Sequence, residues 1–331
     1  MKWEKIEFGE LYLIPSKNGL NRPSRVRGSG YKMINMGELF ANDRIKDIPM
    51  ELVPLNDREI ESSNILEQDL LFARQSIVAS GAGKCSIVLE VPEITTFESH
   101  LIRVRLNSDR ANPLFYYYYF KTPFANMKSL VQQGVQAGIR GSELKNLNVF
   151  YPPLSTQRRI ASILSAYDDL IENNLKRIKL LEEKAQMHYK IDFGEYQFGD
   201  KEPQNLPKGW SVKSIGDIYG KLESGSRPKG GIDKELKEGI ASVGAENVIG
   251  LGKYNYQSEK LINEAFFENM NRGKIENKDI LIYKDGAYIG KTTLFQDDFP
   301  HDKCCVNEHV FLLRSIDELY QNYLFFTLYQ K

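Results

Sequence analysis

Between Pro152 and Lys190 the apolar residues recur three and four positions apart: Ile160, Ile163, Leu164, Tyr167, Leu170, Ile171, Leu175, Ile178 and Leu181. Arg159, Asp169, Glu172, Asn173, Lys176, Lys179 and Glu183 fall on the opposite face. That period draws one apolar stripe along a helix. Pro152-Pro153 excludes helix before it, and Ser155 is a suitable N-cap. About 35 helical residues would span roughly 50 Å, well past the usual length inside a compact domain. A single stripe on so long a rod requires a partner helix, so the pattern predicts a coiled coil or helical hairpin. No second helix of this kind is visible in the chain.

The flanking segments have a different texture, with short apolar runs such as "DLLFA" and "DILIY" that read as strands. They also repeat each other at an offset of about 207–210 residues. "KWEKIEFGELY" lies over "GWSVKSIGDIY", pairing Trp3 with Trp210, Gly9 with Gly216 and Tyr12 with Tyr219. "EQDLLFA" lies over "NKDILIY", "ASGAGKCS" over "GAYIGKTT", and "ESHLI" over "NEHVF", which pairs His100 with His309. "NPLFYYYYF" corresponds to "YQNYLFFTL". The first copy continues into the long helix. The second stops at Lys331 with no counterpart of it, which reads as a truncated chain or one that borrows the missing helix from another subunit.

The stretch "KDGAYIGKTT" resembles the start of a phosphate-binding loop, but Gly286 and Gly290 stand one residue too close for that loop. The residues "TTLF" beginning at Thr292 are β-branched and aromatic, so they read as a strand where the phosphate loop needs a helix. In the first copy Cys85 replaces the hydroxyl residue. A tight turn survives that exchange; a magnesium ligand does not.

The 331 residues suffice for two domains. A hydrophobic content of 41% and a charged content of 27% are those of an ordinary soluble protein. The N-terminus has no signal-peptide pattern, and no apolar run is long enough to span a bilayer. Cys85, Cys304 and Cys305 form neither a disulfide framework nor a zinc motif, so a reducing cytoplasm is the expected setting. The net charge is zero, yet its distribution is uneven. No acid occurs from Leu11 to Gly37, where Lys17, Arg22, Arg25, Arg27 and Lys32 lie, nor between Ala111 and Ser142, where Lys121, Lys128 and Arg140 lie. Such windows suit a phosphate-facing surface, with solvated loops as the competing reading.

Two divergent copies flanking a helix announced by "YPPLSTQRRIASILSAYDDLI" resemble the specificity subunit of type I restriction–modification systems. The resemblance is carried by Pro152, Pro153, Leu154, Gln157, Ile160, Leu164, Asp168 and Ile171, and it runs the length of the chain. Thr156 departs from it, standing where an acidic residue is commoner. The resemblance implies an α+β protein with two repeated α/β target-recognition domains separated by a long spacer helix of coiled-coil type. The domains would be residues 1–151, the spacer or dimerisation helix 152–195, and a second, apparently truncated recognition domain 196–331. Each recognition domain would read half of a bipartite, asymmetric site on double-stranded DNA, with the spacer setting the gap. The chain would dock methyltransferase and restriction subunits and possess no catalytic or metal site of its own. S-adenosylmethionine, ATP and magnesium would belong to those partners. A second copy of the chain could pair through the spacer helix, whose apolar stripe is the expected subunit interface.

For DNA contact the residues themselves suggest Arg22, Arg25, Arg27 and Lys32, with Arg227 and Lys229 at the equivalent place in the second copy. Arginine forks fit guanine edges and phosphates, and lysine fits phosphates. "SLVQQGVQAGIRGS" adds Gln132, Gln133, Gln136 and Arg140, because glutamine can pair with an adenine edge; "KYNYQ" adds Asn255 and Gln257. Solvated loop side chains are the competing reading for each. His100 and His309 recur within strand-like segments and read as structural, hydrogen-bonded residues, while "FYYYY" reads as core. Asp168, Asp169 and Glu172 read as a solvated face or a partner contact. Two rival functions remain: a coiled-coil scaffold for proteins, and a recognition subunit of a combined nuclease–methyltransferase.

Overall fold

The computed structural model describes residues 3–77, 79–132, 137–193, 206, 208–233, 235–286 and 289–329. The chain divides into two compact units, Met1–Arg177 and Ile178–Lys331. Unit 1 carries β1 (Glu4–Glu7), β2 (Tyr12–Asn18), β3 (Tyr31–Ile34), β4 (Arg44–Ile45), β5 (Glu51–Val53), β6 (Leu70–Ala73), β7 (Gln75–Ser76), β8 (Cys85–Val88), β9 (Thr95–Phe97), β10 (Leu101–Leu106), β11 (Ala137–Gly138) and β12 (Asn148–Tyr151). Its helices are α1 (Met36–Ala41), α2 (Asp57–Ser63), α3 (Pro113–Phe120) and α4 (Gly141–Lys145). The long helix α5 (Leu154–Phe193) begins in unit 1 and ends in unit 2. Unit 2 then carries α6 (Ile215–Ile218), α7 (Glu264–Glu268) and α8 (Glu318–Tyr329). Its strands are β13 (Tyr219–Ser224), β14 (Ile240–Val243), β15 (Val248–Gly250), β16 (Lys253–Tyr254), β17 (Leu261–Ile262), β18 (Ile280–Tyr283), β19 (Thr292–Leu294), β20 (Cys304–Val306) and β21 (Val310–Ser315).

The fold is α+β, and the same plan is built twice. In unit 1 the main sheet runs β2-β10-β6-β8-β4; in unit 2 it runs β13-β21-β18-β19. A second sheet joins β3 to β5 antiparallel and to β9 parallel. Its counterpart joins β14 to β17 antiparallel and to β20 parallel. The fifth strand β4 is the main difference: unit 2 has the β15–β16 ribbon instead.

Burial follows from side-chain alternation. In β6 Leu70 and Phe72 enter one core cluster and Leu71 and Ala73 the other, so all four are buried and the sheet is covered on both faces. β18 does the same with Ile280 and Leu281. The aromatic run forms α3, where Phe115, Tyr116, Tyr117, Tyr119 and Phe120 are buried. Phe120 meets Phe8 and Phe72 edge-on at 4.8 and 5.0 Å, a favoured aromatic geometry. "FYYYY" is therefore core, as its sequence suggests.

Each central strand is preceded by a turn with a non-glycine residue in the left-handed region, Gln68 at φ 68° and Lys278 at φ 66°. The next residue, an aspartate, closes that turn. Asp69 accepts from the Leu66 amide at 2.8 Å and takes two parallel bonds from Arg105 at 2.7 Å each. Asp279 accepts from the Glu276 amide at 2.7 Å and likewise takes two bonds from Arg314 at 2.7 Å. Both aspartates are fully buried.

The hairpin leaving the central strand matches too. Ala73 and Tyr283 donate to the Lys84 and Lys291 carbonyls at 2.9 and 2.8 Å, and Gly83 and Gly290 donate back at 2.8 Å. Gly290 has φ 85° and Thr292 opens β19, so Gly-Lys-Thr is a turn entering a strand.

The helix α5 is 40 residues long, about 60 Å. It begins at Leu154, one residue before the expected Ser155 cap. The Thr156 and Gln157 amides bond the Pro153 carbonyl at 2.8 and 3.0 Å. The buried Gln157 side chain fixes this start, accepting from the Asn112 amide at 2.8 Å and donating to the Pro152 carbonyl at 2.9 Å.

Removing a carboxylate from a buried pair leaves its partner uncompensated, which costs about 3 kcal/mol. Asp69→Ala is expected to lower the stability of unit 1 by about that amount and leave unit 2 unchanged. Asp279→Ala should do the reverse. Urea titration followed by hydrogen exchange of β6 and β18 amides separates the two.

Candidate nucleic-acid interface

In each unit three loops meet at the same edge of the main sheet. Leu20, just past β2, donates to the Phe97 carbonyl at 2.8 Å and accepts from the Ser99 amide at 3.0 Å. Arg74, at the root of the β6–β8 hairpin, donates to the His100 carbonyl at 2.7 Å. In unit 2 Gly225 donates to Asn307 at 3.1 Å, and Lys284 donates to His309 at 3.1 Å. The approach is close enough to require glycine. A Cβ on Gly19 would lie 2.1 Å from the Phe97 carbonyl oxygen, and one on Gly225 1.5 Å from that of Val306.

Unit 1 adds a fourth segment. The Ile139 amide bonds the Arg74 carbonyl at 2.9 Å, and β11 pairs with β7, Ser76 opposite Ala137 and Gln75 opposite Gly138. Gln132 bridges to Gly138 and donates its side-chain amide to Glu143. Arg140 precedes α4 with an exposed side chain. Gln132 and Arg140 thus join the hairpin edge, while Gln133 and Gln136 lie outside the described residues.

The other expected contacts divide into engaged and open side chains. Arg22 pairs with Glu59 and also bonds the Pro54 and Asn21 carbonyls at 3.3 and 3.1 Å. Arg27 pairs with Glu51 and bonds the Arg22 carbonyl at 2.8 Å. Lys32 reaches Asp47 and Glu93, both at 2.7 Å. Three of the window's five cations are therefore paired with carboxylates from elsewhere in the fold. Arg25, on a single turn at Ser24–Val26, is exposed and has none of these partners. In unit 2 Arg227 pairs with Glu308 and bonds His309 Nε2 at 2.9 Å, and His309 Nδ1 lies 2.8 Å from Asp285. Lys229 is exposed. Asn255 caps a short turn by accepting from the Gln257 amide at 3.1 Å, leaving Gln257 exposed.

His100 and His309 sit in turns before β10 and β21, where the sequence suggests strands. Both are hydrogen-bonded to carboxylates, His100 to Glu98 at 3.3 Å, yet each side chain is nearly half exposed. The three thiols are buried, which pushes Cys304 up to about 12 and Cys305 up to about 11, so they stay protonated.

The carboxylates of α5 are occupied within unit 1. Arg44, nearly buried, pairs with both Asp169 and Glu172. Lys46 reaches Glu172 at 2.6 Å, and the Tyr118 hydroxyl donates to Asp168 at 2.7 Å. Burial and then the Asp168 bond push the Tyr118 hydroxyl's pKa up, so it remains a donor at physiological pH. Asp169 and Glu172 stay substantially solvated, as expected of a helix face, but are also ion-paired within the unit. Spacing on the helix places the three acids together, but nothing local points to β4 and α3 as their partners.

The opposite face of α5 is open. Ile163, Leu164, Tyr167, Leu170, Ile171, Leu175, Ile178 and Leu181 are all at least 38% exposed, Tyr167 at 63%, and Ile160 is partly buried. Farther along, Tyr189 is buried against Tyr323 and Phe326 of α8 and bonds Thr327 at 2.9 Å. No helix is long and apolar enough to cross a membrane among the described residues.

A family model described as type I restriction modification DNA specificity domain matches residues 1–183. Among curated relatives, the type I restriction enzyme MjaIX specificity subunit of Methanocaldococcus jannaschii is 33% identical over 186 residues, 53% of this chain and 42% of that one. A putative MjaX specificity subunit of the same organism is 24% identical over 291 residues, 85% and 66% of the two chains. The EcoKI specificity subunit of Escherichia coli K12 is 26% identical over 180 residues, 52% and 38% of the two. The chain thus spans less than two thirds of each relative's length. The crystal structure of the S subunit of a type I restriction–modification system from M. genitalium is similar in fold, with a TM-score of 0.59 at 16% identity, covering 99% of this chain and 77% of that one.

With Arg44→Ala, Asp169 and Glu172 lose their most buried partner. Because both acids are substantially solvated, the expected loss is about 1 kcal/mol, seen as several-fold faster amide exchange in residues 162–177. Exchange in β6 and β10 should stay at the wild-type rate. Hydrogen-exchange mass spectrometry measures both.

Proposed function

Because the chain belongs to the family of type I restriction modification DNA specificity domains, we propose that it is the DNA-recognition subunit of a type I restriction–modification complex. Residues 1–151 and 196–331 act as two target-recognition domains, each taking one half of a bipartite duplex site, and 152–195 act as the spacer helix. The chain does no chemistry. Methyltransferase subunits dock on it and supply S-adenosylmethionine, and a restriction subunit supplies ATP- and magnesium-dependent cleavage, all in the cytoplasm.

The observation that carries this reading is the doubled edge: on two units of one chain the hairpin root bonds the histidine turn, and the loop after the first strand bonds the residues around that turn. A split site needs two readers. Joining them makes the second binding event intramolecular, so two weak half-site contacts combine into a tight one. Arg25, Arg140 and Lys229 supply phosphate contacts, and Gln132, Asn255 and Gln257 supply base contacts, with Gln133 and Gln136 as further candidates. Arg22, Arg27, Lys32 and Arg227 reach DNA only by releasing their carboxylates. The stripe from Ile160 to Leu181 packs on a second helix, from another copy of the chain or from a partner subunit. A protein scaffold would use that stripe as well, but would have no need of duplicated loop edges.

Gel shift with the chain plus methyltransferase subunits, on a randomised duplex pool, tests the proposal. Binding should be sequence-selective and fall steeply with salt, by about 0.9 log per log salt for each phosphate contact. Arg25→Glu with Arg140→Glu should weaken binding to all duplexes and flatten that slope by roughly two contacts. Salt-insensitive binding, or none, leaves the scaffold as the better account.

A further inference from the structure

Arg227, in the loop after β13, is held by two neighbouring residues of the histidine turn. Its Nε pairs with Glu308 Oε1, and its Nη2 lies 2.9 Å from Nε2 of His309. A guanidinium only donates, so that imidazole nitrogen is the acceptor and carries no proton. The ring's proton is then on Nδ1, 2.8 Å from the Asp285 carboxylate. Glu308 grips through one oxygen, because its Oε2, screened from solvent, has no hydrogen-bond partner. Asp279, by contrast, takes two bonds from Arg314. The side chains of Arg227, Glu308, His309 and Asp285 are each at least 34% exposed, so solvent protons reach the cluster.

A second proton on the ring does not fit this arrangement. Protonated Nε2 would face the guanidinium as donor against donor and as like charge against like charge. Glu308 Oε1 lies 3.3 Å from Nε2 and can accept from it, so the imidazolium takes over the carboxylate that holds Arg227. The other charged groups about the ring favour the same outcome. Asp285 keeps its bond to Nδ1 in both states, and Glu246, paired with Lys260, is near enough to attract a charged ring. Lys284 turns its ammonium onto the Phe311 ring, 4.9 Å from the centroid. In unit 1 the matching His100 bonds Glu98 rather than an arginine.

We propose that His309 is a proton-operated positioning residue: neutral, it withholds Arg227 from DNA, and protonated, it releases that arginine to a backbone phosphate in the half-site of unit 2. The proposal rests on the DNA-recognition reading above and adds its regulation. Because the bound state holds one more proton, affinity rises as pH falls, and DNA in turn favours protonation.

The full chain with methyltransferase subunits is titrated onto its selected duplex at about pH 8 and about pH 6, which bracket the change of charge of an ordinary histidine. Wild-type protein should bind severalfold tighter at the lower pH, with a salt slope steeper by about 0.9, the worth of one added phosphate contact. His309→Gln, whose amide can hold both neighbours but takes no proton, should lack that gain, and so should Arg227→Ala. His100→Gln should keep it. Glu308→Gln should bring the tighter binding to the higher pH, and only where Arg227 is present. In the free wild-type protein at the higher pH, nitrogen NMR should place the His309 proton on Nδ1, a reading that needs no variant to fold. Affinity and slope that ignore pH in wild type, a response that survives in His309→Gln or Arg227→Ala, or a proton on Nε2 at the higher pH would each overturn the proposal. Wild-type protein that binds no duplex at either pH removes the DNA-recognition reading itself.

Discussion

A carboxylate sealed from water and gripped by an arginine holds each unit's sheet in register. Asp69 and Asp279 are fully buried at the entry to their central strands. Two parallel bonds tie each to an arginine on the neighbouring strand, Arg105 or Arg314. An isolated carboxylate in such a place would cost several kcal/mol, so neither partner can drift in sequence without the other. The same aspartate closes a turn whose preceding residue is left-handed, which offsets the local backbone strain. Two segments with few identical residues therefore fold to one topology.

That register decides where the loops go. The hairpin root bonds the histidine turn, and the loop after the first strand bonds the residues just before it, once in each unit. Loops on a rigid sheet are a common way to present recognition residues while the frame stays constant. The helix is held differently. Past Ala161, its attachment to unit 1 is largely polar, through Arg44, Lys46 and Tyr118, while its apolar stripe faces outward. A helix with this division of faces is held in place by its own unit through polar contacts and leaves its apolar stripe exposed.

Much of this was legible in the sequence, because periodicity reports local geometry. The long helix, the aromatic core of α3 and the strand after Gly-Lys-Thr each follow from spacing within a few residues, and the repeat from matched segments about 207–210 residues apart. What was hidden depends on pairs far apart in the chain. Arg22, Arg27 and Lys32 look unopposed in an acid-free window, yet Glu59, Glu51, Asp47 and Glu93 are folded onto them. Asp169 and Glu172 look unpaired until β4 arrives with Arg44. Ser155 looks like the cap, but with Gln157 held by tertiary bonds the helix starts two residues sooner, at Leu154. Charge patterns fix neither the partner nor the exposure of an ion, so candidate contacts were less legible than the fold.

If one chain with two like readers determines where partner enzymes mark DNA, the host genome carries the record. Methylation-aware sequencing of that genome, with the gene present and deleted, reads it most directly. A split motif containing methylated adenine, present with the gene and absent without it, is the predicted result; a methylation pattern unchanged by the deletion would contradict it.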